Sequence, residues 1–178
     1  MRKGSKVDNR KTNIDFSSIS LSGLEGIVTT GFGDAYTFIS IPTYQKELNI
    51  VLGTNPYPGT LNLIVDENKA KIFLSKLKKR YIKGFKGKSK TKNLSKQILS
   101  YGGVTYYLVW IRAKVKSKYK TLRCAIIVPK KTRHPKNIIE VISTHCIRER
   151  FKLNDGDIVI LTMKNPSTKV HGFFKPQN

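Results

Sequence analysis

The chain has 178 residues, of which 39% are hydrophobic, a proportion sufficient for the core of one domain. It carries 34 basic and 11 acidic residues, and its formal net charge of +23 favours polyanionic partners such as nucleotides, nucleic acid or anionic surfaces. No run of 18 apolar residues and no closely spaced cysteine pair occurs, and the charged residues 1–4 lead into no apolar stretch. We therefore expect a cytoplasmic protein with reduced thiols and no membrane span.

The first third of the chain predicts an arm followed by β structure. Residues 1–22 are polar and basic, which indicates a flexible arm. Two β-rich runs, at 26–30 and 36–41, flank a glycine turn, and this pattern predicts a β-hairpin. Apolar residues then recur at helical spacing over 44–52, with Gly53 at the position of a C-terminal cap.

A strong turn signal at 55–59 leads into a short apolar strand at 61–65. After it, the chain contains no acidic residue between Asn68 and Ile139, although that stretch holds 22 of the 34 basic residues. We interpret residues 69–100 as a basic insertion, helical at first and an open loop over 84–89. Its lysines between Lys76 and Lys96, interleaved with aromatic residues, could bind nucleic acid without sequence specificity.

The remaining segments are mostly β. Runs at 104–111, 122–128 and 158–163 predict strands, whereas the isoleucines at 138–142 and the apolar residues at 147–151 indicate short helices. The tail, residues 166–178, is predicted to be loose. Several short strands with glycine turns and few helices favour a small, mainly β barrel over an alternating α/β sheet.

Three stretches carry possible chemistry. The glycine turn at 31–36 can bring backbone N–H groups close to a phosphate, or can be a plain hairpin turn. Thr60 and Asn62 are two residues apart at the start of a strand, so that their oxygens share a face and suit Mg²⁺ accompanied by a polyphosphate. They can equally be polar residues on a solvent-facing strand.

The third stretch follows 128–134 and contains Glu140, the first acidic residue after the long basic segment. Glu140 can pair with a lysine or accept hydrogen bonds from a ligand. Arg148 and Glu149 can likewise form an ordinary surface pair. The three histidines have no partners at metal-ligand spacing, and we interpret them as surface or structural residues. No P-loop and no dinucleotide-binding glycine pattern is present.

Taken together, four segments in this order resemble the archaeal CTP-dependent riboflavin kinases. The segments are 31–36, 52–63, 125–134 and 147–157, and the resemblance covers about half of the chain. It implies a six-stranded cradle-loop β-barrel over residues 23–165, which transfers the γ-phosphoryl group of CTP to the 5′-hydroxyl of riboflavin and yields FMN and CDP. A monomer that needs Mg²⁺ is expected.

The resemblance also implies roles for individual residues. Thr60 and Asn62 would bind Mg²⁺, and Thr132 and Glu140 would hold the flavin. Glu140 is in addition the nearest candidate for the general base. The residues implied in nucleotide binding are Gly31, Phe32, Gly33, Asp34, Ala35, Tyr36, Cys146, Ile147, Arg148 and Glu149. The alternative function is a basic β-barrel that binds nucleic acid and has no catalytic activity.

Overall fold

The computed structural model of the protein describes residues 23–88 and 98–165. The predicted arm at 1–22, the predicted tail at 166–178 and the lysines of the basic insertion at 89–97 lie outside the described residues. The elements are β1 (Gly23–Thr29), α1 (Ala35–Ile39), α2 (Pro42–Leu52), β2 (Leu61–Ile64), α3 (Glu67–Ser75), β3 (Arg80–Ile82), β4 (Phe85–Lys88), β5 (Ile98–Tyr101), β6 (Val104–Val115), β7 (Lys118–Pro129), β8 (Ile138–Ile142), α4 (Ile147–Phe151) and β9 (Ile158–Thr162).

Six antiparallel strands close into a barrel. Their order is β6-β7-β8-β2-β1-β9, and β9 pairs back onto β6. Closure removes the unpaired strand edges that an open sheet of this size would expose. Strand β3 adds to β6 at the edge of this sheet, and β4 with β5 forms a separate two-stranded sheet. The mainly β, six-stranded barrel expected from the sequence is therefore confirmed.

Strand alternation separates an inner from an outer wall. Inward residues such as Leu63, Ile111 and Val141 are fully buried in the main core, which α3 also enters through Phe73. Because successive side chains of a strand point to opposite faces, the residues between these inward positions lie on the outside of the barrel. That outer wall carries the candidate site described below.

A second apolar cluster attaches α1 and α2 to the outer wall of β7 and β8. Ile39, Tyr44 and Leu48 from the helices pack with Ala125 and Ile127 of the sheet. The α2 helix follows the sequence prediction, since its buried residues recur at helical spacing and it ends at Gly53, whose φ of 86° suits glycine. The two helices therefore form a cover over one patch of the barrel wall.

Two local predictions were wrong. The segment after the glycine turn is the helix α1 rather than the second strand of a hairpin, because Ala35 and Ile39, four residues apart, pack together in the second cluster. Tertiary packing here outweighs the β propensity of the segment. The isoleucines at 138–142 form strand β8 rather than a helix, because Ile139 and Val141 alternate with the outward-facing Glu140.

The described part of the basic insertion is more ordered than the sequence suggested. The helix α3 is present, but the predicted open loop at 84–89 contains β4, which pairs with β5. Aromatic contacts tie this small sheet to α2: the ring centroids of Phe85 and Tyr101 lie 4.9 Å apart, and that of Tyr44 lies 5.2 Å from Phe85. The Tyr44 hydroxyl donates a hydrogen bond to the Gly102 carbonyl.

Candidate functional site

A cavity of about 620 Å³ lies between the outer barrel wall and the α1–α2 cover. Its lining comes from the glycine loop (residues 31–36), from the turn and strand start at 57–62, from the facing loop (residues 132–134) and from residues 100–104, which end β5 and lead into β6. A volume of this size matches the clefts that hold small molecules. The chain therefore brings together, in one cavity, segments that lie far apart in the sequence.

Thr60, Asn62 and Glu140 face one another on the cavity floor. Asn62 of β2 is directly opposite Glu140 of β8 in the strand register, and the Thr60 hydroxyl donates a hydrogen bond of 3.4 Å to Glu140 Oε1. Asn62 is only 7% exposed, and its Oδ1 atom has no hydrogen-bond partner among the described residues. A buried oxygen without a partner is costly, since desolvation is not compensated.

This arrangement fits a magnesium ion. The Thr60 hydroxyl and the Asn62 amide supply neutral, hard oxygen atoms on one side of a cavity, and Mg²⁺ completes such a partial set with water and phosphate oxygens. The free lone pairs of Asn62 Oδ1 are then available for a ligand. No group of three or more His, Cys, Asp or Glu residues that could hold a metal occurs within 23–88 and 98–165.

Glu140 lies in a partly desolvated environment. Burial raises the pKa of its carboxyl group, while His134 and the hydrogen bond from Thr60 act in the opposite direction. The side chain is 14% exposed, and His134 Nε2 lies 3.9 Å from Glu140 Oε1. A carboxylate with a raised pKa, held in a cavity wall, is suited to accept a proton or a hydrogen bond from a bound hydroxyl group.

The glycine loop lies directly against the predicted metal ligand. A Cβ atom at Gly31 would come within 2.0 Å of Asn62 Nδ2, so only glycine permits this approach. Gly33 has a φ of 78°, which again favours glycine. Within the described chain, the N–H groups of residues 32–34 donate no hydrogen bond to another residue. They are available for an anion such as a phosphate.

The facing loop closes the cavity from the other side. Arg133 forms an ion pair with Asp34, and the ring of His134 stacks on Phe32 with centroids 4.7 Å apart. Thr132 lines the cavity, and its hydroxyl accepts a hydrogen bond of 3.1 Å from the His134 N–H group. The two loops that the sequence analysis assigned to the nucleotide and the flavin are thus in direct contact.

Arg148 anchors the start of the glycine loop. Its guanidinium donates to the Thr29 carbonyl at 2.8 Å and to Asp155 at 2.7 Å. Asp155 in turn accepts hydrogen bonds from the Thr30 N–H group and hydroxyl, at 3.1 and 2.6 Å. These hydrogen bonds, led by the one from the Thr30 hydroxyl, lower the pKa of Asp155. The network fixes the backbone where strand β1 becomes the glycine loop.

The other members of the 146–149 segment differ in their placement. Cys146 lines the cavity beside Tyr57, and a hydrogen bond between the two side chains raises the pKa of Tyr57. The Ile147 side chain is 4% exposed and packs in the barrel core, so any contact with a ligand must use its backbone. Glu149 is exposed on α4 and does not line the cavity.

Several residues of the site were missed by the sequence analysis. His134, interpreted as a surface or structural residue, lies in the cavity beside Glu140. Asp155 was seen only as part of a turn, because the sequence gives no sign of its contact with Thr30, 125 positions away. Tyr44 and Tyr101 also line the cavity. The position of His134 within the resemblance to the kinases was the one available signal for it.

The cavity combines a glycine loop with free N–H groups, a pair of neutral oxygen atoms that suit Mg²⁺ and a buried carboxyl group. These are elements that phosphoryl transfer uses, because that chemistry depends on positioning and on neutralising phosphate charge. Comparison with known proteins specifies the family. Residues 28–163 match the family model CTP-dep_RFKase, described as a domain of unknown function, DUF120. The chain therefore belongs to the CTP-dependent riboflavin kinase family.

Individual relatives agree with this family. The chain is similar to the riboflavin kinase of Methanocella arvoryzae, with 35% identity over 154 residues that cover 84% of this chain and 63% of that protein. It is also 35% identical over 136 residues to the riboflavin kinase of Methanobrevibacter smithii, covering 76% of this chain and 95% of that protein. The riboflavin kinase of Saccharolobus solfataricus is 28% identical over 148 residues, which are 80% of this chain and 75% of the relative.

The chain thus spans 63% of the length of the Methanocella relative. In the described ranges 23–88 and 98–165, no helix has both the length and the apolar character needed to cross a membrane.

Proposed function

We propose that the protein transfers the γ-phosphoryl group of CTP to the 5′-hydroxyl of riboflavin, so that FMN, CDP and a proton are produced. The observation that carries this proposal is the buried, unpartnered Oδ1 atom of Asn62, held between the glycine loop and Glu140. Family membership supports the acceptor and the nucleotide. The free thiols Cys124 and Cys146 agree with action in the cytoplasm, and we expect a monomer.

The chain contributes mainly positioning and electrostatics, as is usual in phosphoryl transfer. Thr60 and Asn62 are the residues that would hold Mg²⁺, which when bound neutralises negative charge on the phosphates. The free N–H groups of residues 32–34 would bind phosphate oxygens of the nucleotide. Arg148 and Asp155 keep that loop in position, although neither needs to contact the ligand for this purpose.

The acceptor hydroxyl would lie near Glu140. The carboxylate accepts the hydroxyl proton as the new P–O bond forms, and the bond between the γ-phosphorus atom and its bridging oxygen breaks to release CDP. A pKa raised by burial brings the carboxyl group closer to the value that suits a base. Thr132, which lines the same cavity, would hold the flavin together with Glu140.

The alternative, a barrel that binds nucleic acid without catalysis, leaves the cavity and the Asn62 oxygen unexplained. An assay for FMN discriminates between the two. Purified protein is mixed with riboflavin, Mg²⁺ and CTP, ATP, GTP or UTP, and the products are separated by chromatography. We expect more FMN with CTP than with any of the other three nucleotides. We expect no FMN with any nucleotide when a chelator removes Mg²⁺. Absence of FMN with all four nucleotides would refute the proposal.

A further inference from the structure

Strands β6 and β7 extend at one end of the barrel as a two-stranded ribbon, residues 112–121, of which Ala113 and Val115 pack on the main core. Strand β9 pairs with β6 only over residues 110–112, and β8 pairs with β7 only over residues 125–127. Beyond these positions β6 and β7 pair only with each other, for example Val115 with Lys118. From Ala113 to Lys120 the ribbon therefore pairs, among the described residues, with no other strand.

The ribbon is uniformly basic. All four of its lysines are exposed, and none forms an ion pair with another described residue. No acidic residue lies between Glu67 and Glu140 along the sequence, so the ribbon carries no negative charge of its own. Lysine on an open edge also discourages association with other strands. The cations of the ribbon are Arg112, Lys114, Lys116, Lys118 and Lys120.

One aromatic ring accompanies these cations. Tyr119 is 49% exposed, and the Arg112 guanidinium lies 3.9 Å from the centroid of its ring. Tyr119 is the only exposed large hydrophobic residue of the ribbon. An amphipathic membrane-binding element combines its cations with an apolar face that enters the lipid, and a single ring does not form such a face. Cations around a single exposed ring instead resemble surfaces that bind single-stranded nucleic acid, where phosphates meet lysines and bases stack on aromatic rings.

Anionic substrates of the cavity do not account for this charge. The cavity residue nearest to the ribbon along its own strands is Ile127 of β7, about seven residues from Lys120. At roughly 3.3 Å per residue, this separation is about 23 Å. Charges interact only weakly beyond a Debye length, which is about 8 Å at physiological salt. Lys131 and Arg148, by contrast, do line the cavity and can serve substrate binding there.

We propose that the ribbon binds single-stranded nucleic acid without sequence specificity, with its lysines on the phosphates and Tyr119 stacked against a base. The sequence analysis assigned such binding to lysines 76–96. In the structure, β3 of that segment pairs with β6 at residues 104–106, the end of β6 that lies away from the ribbon. Residues 100–104, which follow the segment, belong to the cavity wall. None of the ribbon residues lines the cavity, so the proposed kinase reaction makes no use of this surface.

The test compares two variants that lose the same charge. In the ribbon variant, Lys114, Lys116, Lys118 and Lys120 are all replaced by Gln. The control variant carries the same replacement at four exposed lysines elsewhere. Each set contains one lysine with a φ near 55°, Lys116 in the ribbon and Lys152 in the control, so that the two variants are also matched in backbone conformation. The control positions are Lys46, Lys136, Lys152 and Lys164. Binding of a fluorescent 20-nucleotide single strand of mixed sequence is measured by anisotropy at 50 and 200 mM salt.

For a single strand, each phosphate contact contributes about −0.7 to the slope of log K against log salt. Four contacts therefore weaken binding about 50-fold between the two salt concentrations. We expect the ribbon variant to lose this part of the salt dependence and the control variant to keep it. Melting temperatures of both variants verify folding independently of the kinase reaction. Tyr119→Ala, a second variant, should weaken binding about 10-fold with all lysines present.

Three results would overturn the proposal. Equal losses in the two lysine variants would mean that binding depends on the overall charge of the protein and not on the ribbon. Unchanged binding in the ribbon variant would exclude the ribbon altogether. Binding to phosphatidylserine vesicles that depends on the ribbon, without binding to the oligonucleotide, would identify an anionic lipid surface as the partner instead.

Discussion

Replacing Asn62 by alanine tests whether its amide oxygen is kept for a metal rather than for stability. In the fold, Oδ1 is buried without a partner, and an unsatisfied buried polar group costs about 1–3 kcal/mol. Asn62→Ala removes that cost but also removes packed atoms from a site that is only 7% exposed. The two effects are opposite and similar in size, so we expect the unloaded variant to unfold within about 1 kcal/mol of the wild type.

Ligand binding should raise the melting temperature of the wild type more than that of Asn62→Ala. With Mg²⁺ and CDP present at about 100 times the dissociation constant, the wild type gains about 2.7 kcal/mol of stability. For a chain of this size, 1 kcal/mol corresponds to about 2–4 °C, so the melting temperature should rise by roughly 5–11 °C. The variant should show little of the metal-dependent part of this increase. Thermal unfolding with and without Mg²⁺, at constant CDP, measures the difference.

Asn49→Ala is a suitable control, because the Asn49 side chain bonds Asn55 outside the cavity. This variant should retain the full metal-dependent shift. The reasoning fails if Asn62→Ala keeps the wild-type shift with Mg²⁺, since the oxygen would then not be a ligand. It also fails if the unloaded variant melts more than about 8 °C below the wild type, because such a loss would require that the oxygen already had a stabilising partner.

Three further predictions concern the groups around Asn62. Gly31→Ala should displace the Asn62 amide, since the new Cβ would lie 2.0 Å from Nδ2. We expect loss of the Mg²⁺-dependent melting shift with circular dichroism unchanged. Gly102→Ala, another cavity glycine, is the control, because its new Cβ would come no closer than 3.4 Å to the flexible Lys131 side chain. Glu140→Gln should lower riboflavin affinity about 10- to 100-fold in calorimetry, because a hydrogen bond to a charged group contributes about 1.5–3 kcal/mol, and an unaltered affinity would exclude Glu140 from flavin binding. Asp155→Asn should destabilise the protein above the ordinary carboxyl pKa of 3.8. Because the folded-state pKa of Asp155 is lowered, its contribution is present above that value and is lost as the pH falls through the folded-state pKa. The difference in melting temperature between wild type and variant should therefore be constant from pH 8 to 5 and shrink in acid, and a difference that grows in acid would contradict the network with Thr30.

The barrel could be predicted because its signals are local. Runs such as 104–111 and 158–163 have the composition of strands, and glycine turns separate several of them. The α2 helix was equally readable from its spacing and from Gly53. The predictions at 36–41 and 138–142 failed because the elements there, α1 and β8, have only five residues each. A pattern of that length does not distinguish a helix from a strand, and tertiary packing determines which of the two forms.

For the site, the sequence supplied residue types but not their distances. The resemblance to the kinase family marked Thr60, Asn62 and Glu140, yet only strand pairing brings β2 beside β8 and sets Asn62 opposite Glu140. The Asn62 Oδ1 atom is buried without a hydrogen-bond partner because of the tertiary packing around it, and no local sequence pattern predicts this. The contact of Gly31 with the Asn62 amide likewise follows from chain topology alone.

By itself, the sequence determined the fold class, the strongly basic character and the residues that point to the family. The fold class and the basic character follow from composition and short-range periodicity, which are encoded within a few neighbouring residues. The family was indicated by the resemblance of four short segments to the kinases. Only the tertiary structure decided that Lys131 and Arg148 line the cavity whereas the lysines of the ribbon lie outside it. The same holds for Asp155, which supports the glycine loop from 125 residues away. Contacts between distant segments depend on how the whole barrel closes, and no local pattern contains that information.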